Sequence, residues 1–382
     1  MTDEPKARAH VDDLRGVSRL AIEATAGVMG LVEAMHRTIA SGPSVLGRPL
    51  AAPARAVTGV VYGTIKGVTR AVGATIDAAL AALGPLLGDS APGAQRNVVQ
   101  AALNGVLGDY LADTANPLAM PMTLHHANAR PRLVVLVHGL AMHHSQWRRN
   151  GHDHGAALAA ELDATAIYVD YNSGRHISTN GAELAAQLER LVAAWPVPVE
   201  SIVMIGHSMG GLVARSACEA ARVAGHAWLG KLTTLVTLGS PHHGAPLERG
   251  GNWLETLLGI SAYSAPFRVL GRIRSAGVTD LRYGNVIDSD WHGTDRFAFG
   301  GDRRTRLPLP EVACFAIAGT TAIAETARLP GDGMVGVASA LGQHDEHHLE
   351  FSQHWIAFGV GHLELLDAPA VYAKLLEWLV QK

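Results

Sequence analysis

The pattern of apolar and polar positions changes its period at about residue 127. Downstream, short runs of β-branched residues and leucine alternate with helical segments. Leu133–Val137, Thr165–Val169, Ser201–Ile205 and Leu232–Leu238 each read as a strand buried on both faces. Val312–Ile317 and Trp355–Phe358 read as two later strands. Helices are expected over about 155–162, 179–195 and 209–224, and over about 369–380 at the end of the chain. Such alternation predicts parallel strands joined by right-handed crossovers in an open α/β sheet, with ligands bound beyond the carboxyl ends of the strands.

Upstream the period is helical. Leu20, Ala24, Val28, Leu31, Val32, Met35 and Ile39 recur on one face, and Ser41-Gly42-Pro43 ends that segment. A second helix is expected from Ala54 to Leu83, closed by Gly84-Pro85, and a third over about 94–111. Gly59, Gly63 and Gly67 form a ladder on the second helix. Glycine costs a helix stability, so something must compensate. Either another helix packs closely there, or the stretch lies on a lipid surface with Arg55, Lys66 and Arg70 as polar contacts. Two domains are therefore expected: an all-α region over 1–127 and an α/β domain over 128–382.

Composition narrows the partners. An apolar fraction of 48% supplies an ample core and excludes global disorder. A net charge of −3 leaves no electrostatic footprint for nucleic acid. Cys218 and Cys314, alone and far apart, exclude a disulfide framework and a cysteine-rich zinc site. The acidic start Met1–Pro5 lacks an apolar run behind it, and no membrane-spanning stretch stands out. The expected compartment is the cytoplasm, with peripheral membrane contact through the N-terminal helices left open.

The candidate chemistry falls at strand ends. Gly206-His207-Ser208-Met209-Gly210-Gly211 carries G-x-S-x-G between a predicted strand and a predicted helix. In that context the glycines permit a turn too tight for a Cβ, and the serine is held exposed on it at a helix N-terminus. Ser208 is the candidate nucleophile. A second oxyanion donor should come from an earlier strand–helix loop. Val137-His138-Gly139-Leu140 is so placed, and the N–H groups of Leu140 and Met209 are the expected pair. The chain order serine, acid, histidine puts the base late. His362, in Gly359-Val360-Gly361-His362, combines a glycine flank with a strand end, unlike its rivals His344, His347, His348 and His354. The acid lies between: Asp280, Asp288, Asp290, Asp295, Asp302, Asp332 and Asp345 are the candidates, and Asp332 in Gly331-Asp332-Gly333 is favoured.

Histidines also cluster at His125-His126, His143-His144, His152–His154, His242-His243 and His344–His348. None has the H-E-x-x-H pattern of a strong metal motif, and adjacent histidines are expected to face apart, so no metal is expected.

These residues resemble the α/β-hydrolase fold in its bacterial lipase/esterase branch. Gly206–Arg215 is similar to the elbow of that branch, and Gly239–Pro246 resembles the loop after its next strand. His138-Gly139-Leu140 with Trp147 resembles its oxyanion loop, and Asp332–Val335 and Gly361-His362 its acid and base loops. The resemblance spans about 132–382. It implies a mostly parallel sheet with helices on both faces, an acyl-enzyme on Ser208, His362 as general base, Asp332 as its orienting acid, a small-molecule or lipid ester as substrate, and no cofactor. The stretch of about 246–310 would be a cap or lid, with Asn252–Leu258 and Ala265–Leu270 as its apolar pieces. Thioester cleavage and acyl transfer to an alcohol use the same triad. A non-catalytic module binding a lipid surface or a partner is the alternative of another class.

Overall fold

The structure, a computed structural model, describes residues 94–245, 275–293, 307–327 and 329–380. Helix α1 (Ala94–Asp113) comes first, followed by β1 (Thr123–His125) and β2 (Arg132–Val137). A short hairpin, β3 (Arg148–Arg149) and β4 (His152–Asp153), leads into α2 (His154–Glu161) and β5 (Ala164–Asp170). Then come α3 (Ile177–Ala193), β6 (Ser201–His207), α4 (Met209–Ala224) and β7 (Leu232–Leu238). Helix α5 (Ala276–Tyr283), β8 (Ala313–Thr320), the short α6 (Val337–Ala340), β9 (Gln353–Phe358) and α7 (Pro369–Val380) complete the order.

Seven strands form one sheet in the order β1-β5-β2-β6-β7-β8-β9. Strand β1 runs antiparallel to β5, and every other pairing is parallel. The sheet is buried on both sides because successive side chains point to opposite faces. On β2, Leu133, Val135 and Val137 pack with Leu184 and Leu188 of α3 and with Leu212 and Val213 of α4. Val134 and Leu136 pack on the other face with Leu158 of α2 and with Val371 and Leu375 of α7. This is an α/β-hydrolase fold, and the six strands expected from the sequence all form. Strand β1, three residues long, is too short to show a period.

Helix α1 belongs to the same compact unit as the sheet, although its residues fall within the region read from the sequence as a separate helical extension. Its glycines explain the placement. A Cβ on Gly105 would stand 2.6 Å from the Cβ of Ala141, and one on Gly108 would overlap the Asn172 side chain. The backbone contacts are then made directly: Asn172 Nδ2 donates to the Gly108 carbonyl at 2.8 Å and Ser275 Oγ to that of Gly105 at 2.6 Å. The expected helices over 14–39 and 54–83, with their glycine ladder, lie outside the described residues, as do the apolar pieces of the expected cap. Among the described residues no helix is long and apolar enough to cross a membrane.

Candidate active site

Ser208 stands between the end of β6 and the start of α4, with φ 54° and ψ −123°. A non-glycine residue there is strained, and the fold holds it by crowding its neighbours. A Cβ on Gly206 would lie 2.4 Å from the Gly211 nitrogen, and one on Gly210 would lie 2.1 Å from the Val137 carbonyl oxygen. The Ser208 N–H donates to Leu238 O at 2.8 Å, which fixes the corner to β7. The predicted elbow is therefore present, and its glycines are demanded by backbone contacts.

Asp332 and His362 are brought together from loops after β8 and β9. His362 Nδ1 and Asp332 Oδ2 are 2.7 Å apart, and the His362 N–H donates to the Asp332 carbonyl at 3.0 Å. The other carboxylate oxygen accepts N–H bonds from Met334 at 2.9 Å and Val335 at 2.8 Å. Burial alone would raise the Asp332 carboxyl, but His362 and those two amides hold it below the ordinary carboxylate range. Glycine at 239 makes room: with φ +57°, its Cβ would sit 3.0 Å from Asp332 Oδ2 and 3.3 Å from His362 Nδ1. The second ring nitrogen of His362, Nε2, is buried and makes no hydrogen bond among the described residues. His362 lines a narrow, mainly apolar pocket together with Ser208, Gly139, Leu140, Leu281 and Met334.

Other acid candidates among the described residues sit elsewhere. Asp280, on α5, is buried with its carboxylate against the start of α3, accepting from Ile177 N at 2.9 Å and Asn285 Nδ2 at 2.8 Å. Asp290 accepts the N–H groups of Val286 and Ile287. Asp295 and Asp302 lie outside the described residues. Of the rival histidines, His354 is exposed on β9 and His344 packs against His243.

Leu140 lines the pocket, and Met209 is the first residue of α4, where a helix N–H has no partner within the helix. The loop carrying Leu140 is held from the end of β5. Tyr171 Oη donates to His138 O at 2.7 Å, and Ser173 Oγ accepts the Ala141 N–H at 2.9 Å. Ala141 itself has φ +58°, so that clamp holds a strained residue. Neither Tyr171 nor Ser173 was singled out from the sequence; their position just past a strand end is the signal that could have found them. His207 was also passed over. Its Nε2 donates to the His362 carbonyl at 3.0 Å, and its ring lies 4.8 Å from that of His362. Burial, then repulsion from His362, pushes its pKa down to about 3, so it stays a neutral prop for the base loop.

A family model described as a PGAP1-like alpha/beta domain matches residues 128–305. That stretch contains Ser208 and the loop at 138–140 and ends before Asp332 and His362. Among curated proteins none matches the chain. Of solved structures, a lipase of Bacillus licheniformis in its mature form is similar at 19% identity and a TM-score of 0.44, over 68% of this chain and 98% of that one. A type II thioesterase from the yersiniabactin biosynthetic pathway is similar at 18% identity and a TM-score of 0.40, over 68% of this chain and 98% of that one. An esterase from Pyrococcus furiosus is similar at 13% identity and a TM-score of 0.40, over 69% of this chain and 91% of that one. None of these similarities carries a substrate to this chain.

Proposed function

We propose that the chain is a serine hydrolase that cleaves carboxylic esters through an acyl-enzyme on Ser208. One observation carries the reading: the buried Asp332–His362 pair, whose Nε2 has no hydrogen-bond partner among the described residues, lines the same narrow pocket as the strained Ser208 corner. A free Nε2 is what a general base needs, and such contacts are commonly looser before substrate binds. Ser208 Oγ attacks the acyl carbonyl and His362 Nε2 takes its proton. Nδ1–H stays on Asp332, which fixes the tautomer and stabilises the imidazolium. The N–H groups of Leu140 and Met209 receive the oxyanion, each worth roughly 10²–10³ in rate. The leaving alkoxide takes the proton from Nε2. Water, activated by the same nitrogen, then releases the acid and restores Ser208.

The apolar lining of the pocket favours an apolar acyl group. The site residues fall within the proposed catalytic domain, 128–382. Thioesters and transfer to an alcohol need no further residue, because the acyl-enzyme is common to all three reactions. The test is hydrolysis of p-nitrophenyl esters of graded acyl length, with Ser208→Ala as blank and fluorophosphonate labelling of Ser208. Serine-dependent turnover supports the proposal, and its length profile separates esterase from lipase. A thioester substrate and an added alcohol separate the two variants. A folded protein whose Ser208 neither turns over esters nor takes the label would leave a non-catalytic binding module.

A further inference from the structure

We propose that His125, His144 and Asp170 form a binding site for a zinc-class divalent cation, with water as fourth ligand, beside the loop that carries Leu140. Three elements meet there. His125 ends β1, His143 and His144 lie in the turn after β2, and Asp170 ends β5. The antiparallel register, Thr123 opposite Asp170 and His125 opposite Tyr168, brings the edge strand to the carboxylate. Asp170 Oδ2 is 2.6 Å from His144 Nδ1, 2.9 Å from His125 Nε2 and 3.1 Å from His143 Nε2. The ligating atoms of His125, His144 and Asp170 all lie within 4.8 Å of one another.

Hydrogen bonding alone accounts poorly for this convergence. A carboxylate oxygen has two lone pairs, and three ring nitrogens crowd this one while Oδ1 takes the His144 N–H at 2.7 Å. A cation would use the ring lone pairs of His125 and His144 and the carboxylate together. Two imidazoles and one carboxylate, with water in the fourth position, are a donor set that a tetrahedral zinc ion takes. His143 Nδ1 accepts the Ser145 N–H at 3.4 Å, so its Nε2 turns a proton toward Asp170 Oδ2 and steadies the carboxylate as an outer partner of the site. Access is graded as a site requires. The His125 and His144 side chains are 43% and 29% exposed, at a cleft also lined by His126 and Tyr168, whereas that of Asp170 is 5% exposed. Adjacency at 143–144 does not separate these rings, contrary to the expectation from sequence: a 3-10 turn begins at His144 and both rings return to one oxygen.

The site would fasten the oxyanion loop to the sheet. Beneath it His138 stacks on Tyr171 and turns a buried, unpartnered Nε2 toward Asp170 Oδ1 at 3.8 Å, while its Nδ1 bonds Gly139 O at 2.8 Å. The inference stands apart from the reaction at Ser208, since its readout is binding.

The experiment uses the full chain, stripped with chelator and dialysed, then titrated calorimetrically with Zn²⁺ and spectroscopically with Co²⁺. One equivalent of zinc per chain, a tetrahedral-intensity cobalt band and a zinc-dependent rise in Tm are expected. His144→Ala and His125→Ala should each weaken binding by at least roughly tenfold, the scale on which metal-site substitutions act. His126→Ala, on the same cleft but away from Asp170, should bind as the parent does. His125 lies on an exposed edge, so its variant keeps the test open if His144→Ala fails to fold. Absence of stoichiometric binding by the folded parent overturns the proposal. So does binding unchanged in both folded variants, which would assign the zinc to other histidines.

Discussion

Two buried aspartates stand near the carboxyl ends of strands in this molecule, and they are partnered in opposite ways. Asp332 meets one ring and two amides, with His362 Nδ1 on one oxygen and the Met334 and Val335 N–H groups on the other. Donors and lone pairs match there, so the carboxylate aims a single imidazole and leaves its far nitrogen bare. Asp170 meets three rings on one oxygen. That arrangement aims none of them in particular; it gathers three elements about a point. Both are aspartate–histidine clusters, yet stoichiometry makes one suited to moving a proton and the other to holding a cation and a loop.

The comparison can be broken most decisively at Asp332. Asp332→Asn should lower kcat by about 10⁴-fold, because the wrong His362 tautomer is then favoured, while Tm changes little. A loss below tenfold in steady-state assays would detach Asp332 from the reaction. The mirror experiment is Asp170→Asn. It should cost about 1–3 kcal/mol of stability, read by urea denaturation, since the buried carboxylate loses an acceptor oxygen that the rings and the His144 N–H use, and kcat should fall far less than at Asp332. Equal effects on kcat at both positions would erase the distinction drawn here.

Acid titration sharpens it next. His154 and His207 are buried neutral, their pKa values pushed by burial down to about 4 and about 3. In the unfolded chain they protonate near ~6.5, so the unfolded state binds more protons below that pH. Their contribution is whole above about pH 6.5 and is lost as pH falls to about 3–4, on the order of 3 kcal/mol for each ring. The depressed Asp332 adds a loss at lower pH still, as pH falls through its folded-state pKa. Denaturation curves from pH 7 to 4 should show the decline, and His154→Gln should flatten it. A parent whose stability is level over that range would contradict the buried neutral rings. The smallest effect belongs to the rival base: His354→Ala, exposed on β9, should leave kcat within about twofold. A large loss there would move the base away from His362.

The candidate nucleophile is legible because its evidence is local. Gly206, Ser208 and Gly210 lie within five residues, and the strand before and helix after them can be read from their periods. His362 and Asp332 were legible by chain order and glycine flanks, a weaker signal that the 2.7 Å contact between them supports. The role of α1 was not legible. Gly105 and Gly108 look like costs to a helix until Ala141 and Asn172 are seen against them. His207 was hidden for a similar reason, since its partner is a backbone carbonyl 155 residues away.

The sequence by itself determined the strand–helix alternation, the open sheet and the strained serine corner, because each follows from steric and hydrophobic rules acting over a few neighbouring residues. Only the tertiary structure decided which aspartate faces His362, that α1 braces the loop at 138–142, and that His125, His143 and His144 converge on Asp170. Those pairings depend on strand order and register. A change of one residue in the β1–β5 register would turn His125 to the opposite face of the sheet and undo the cluster.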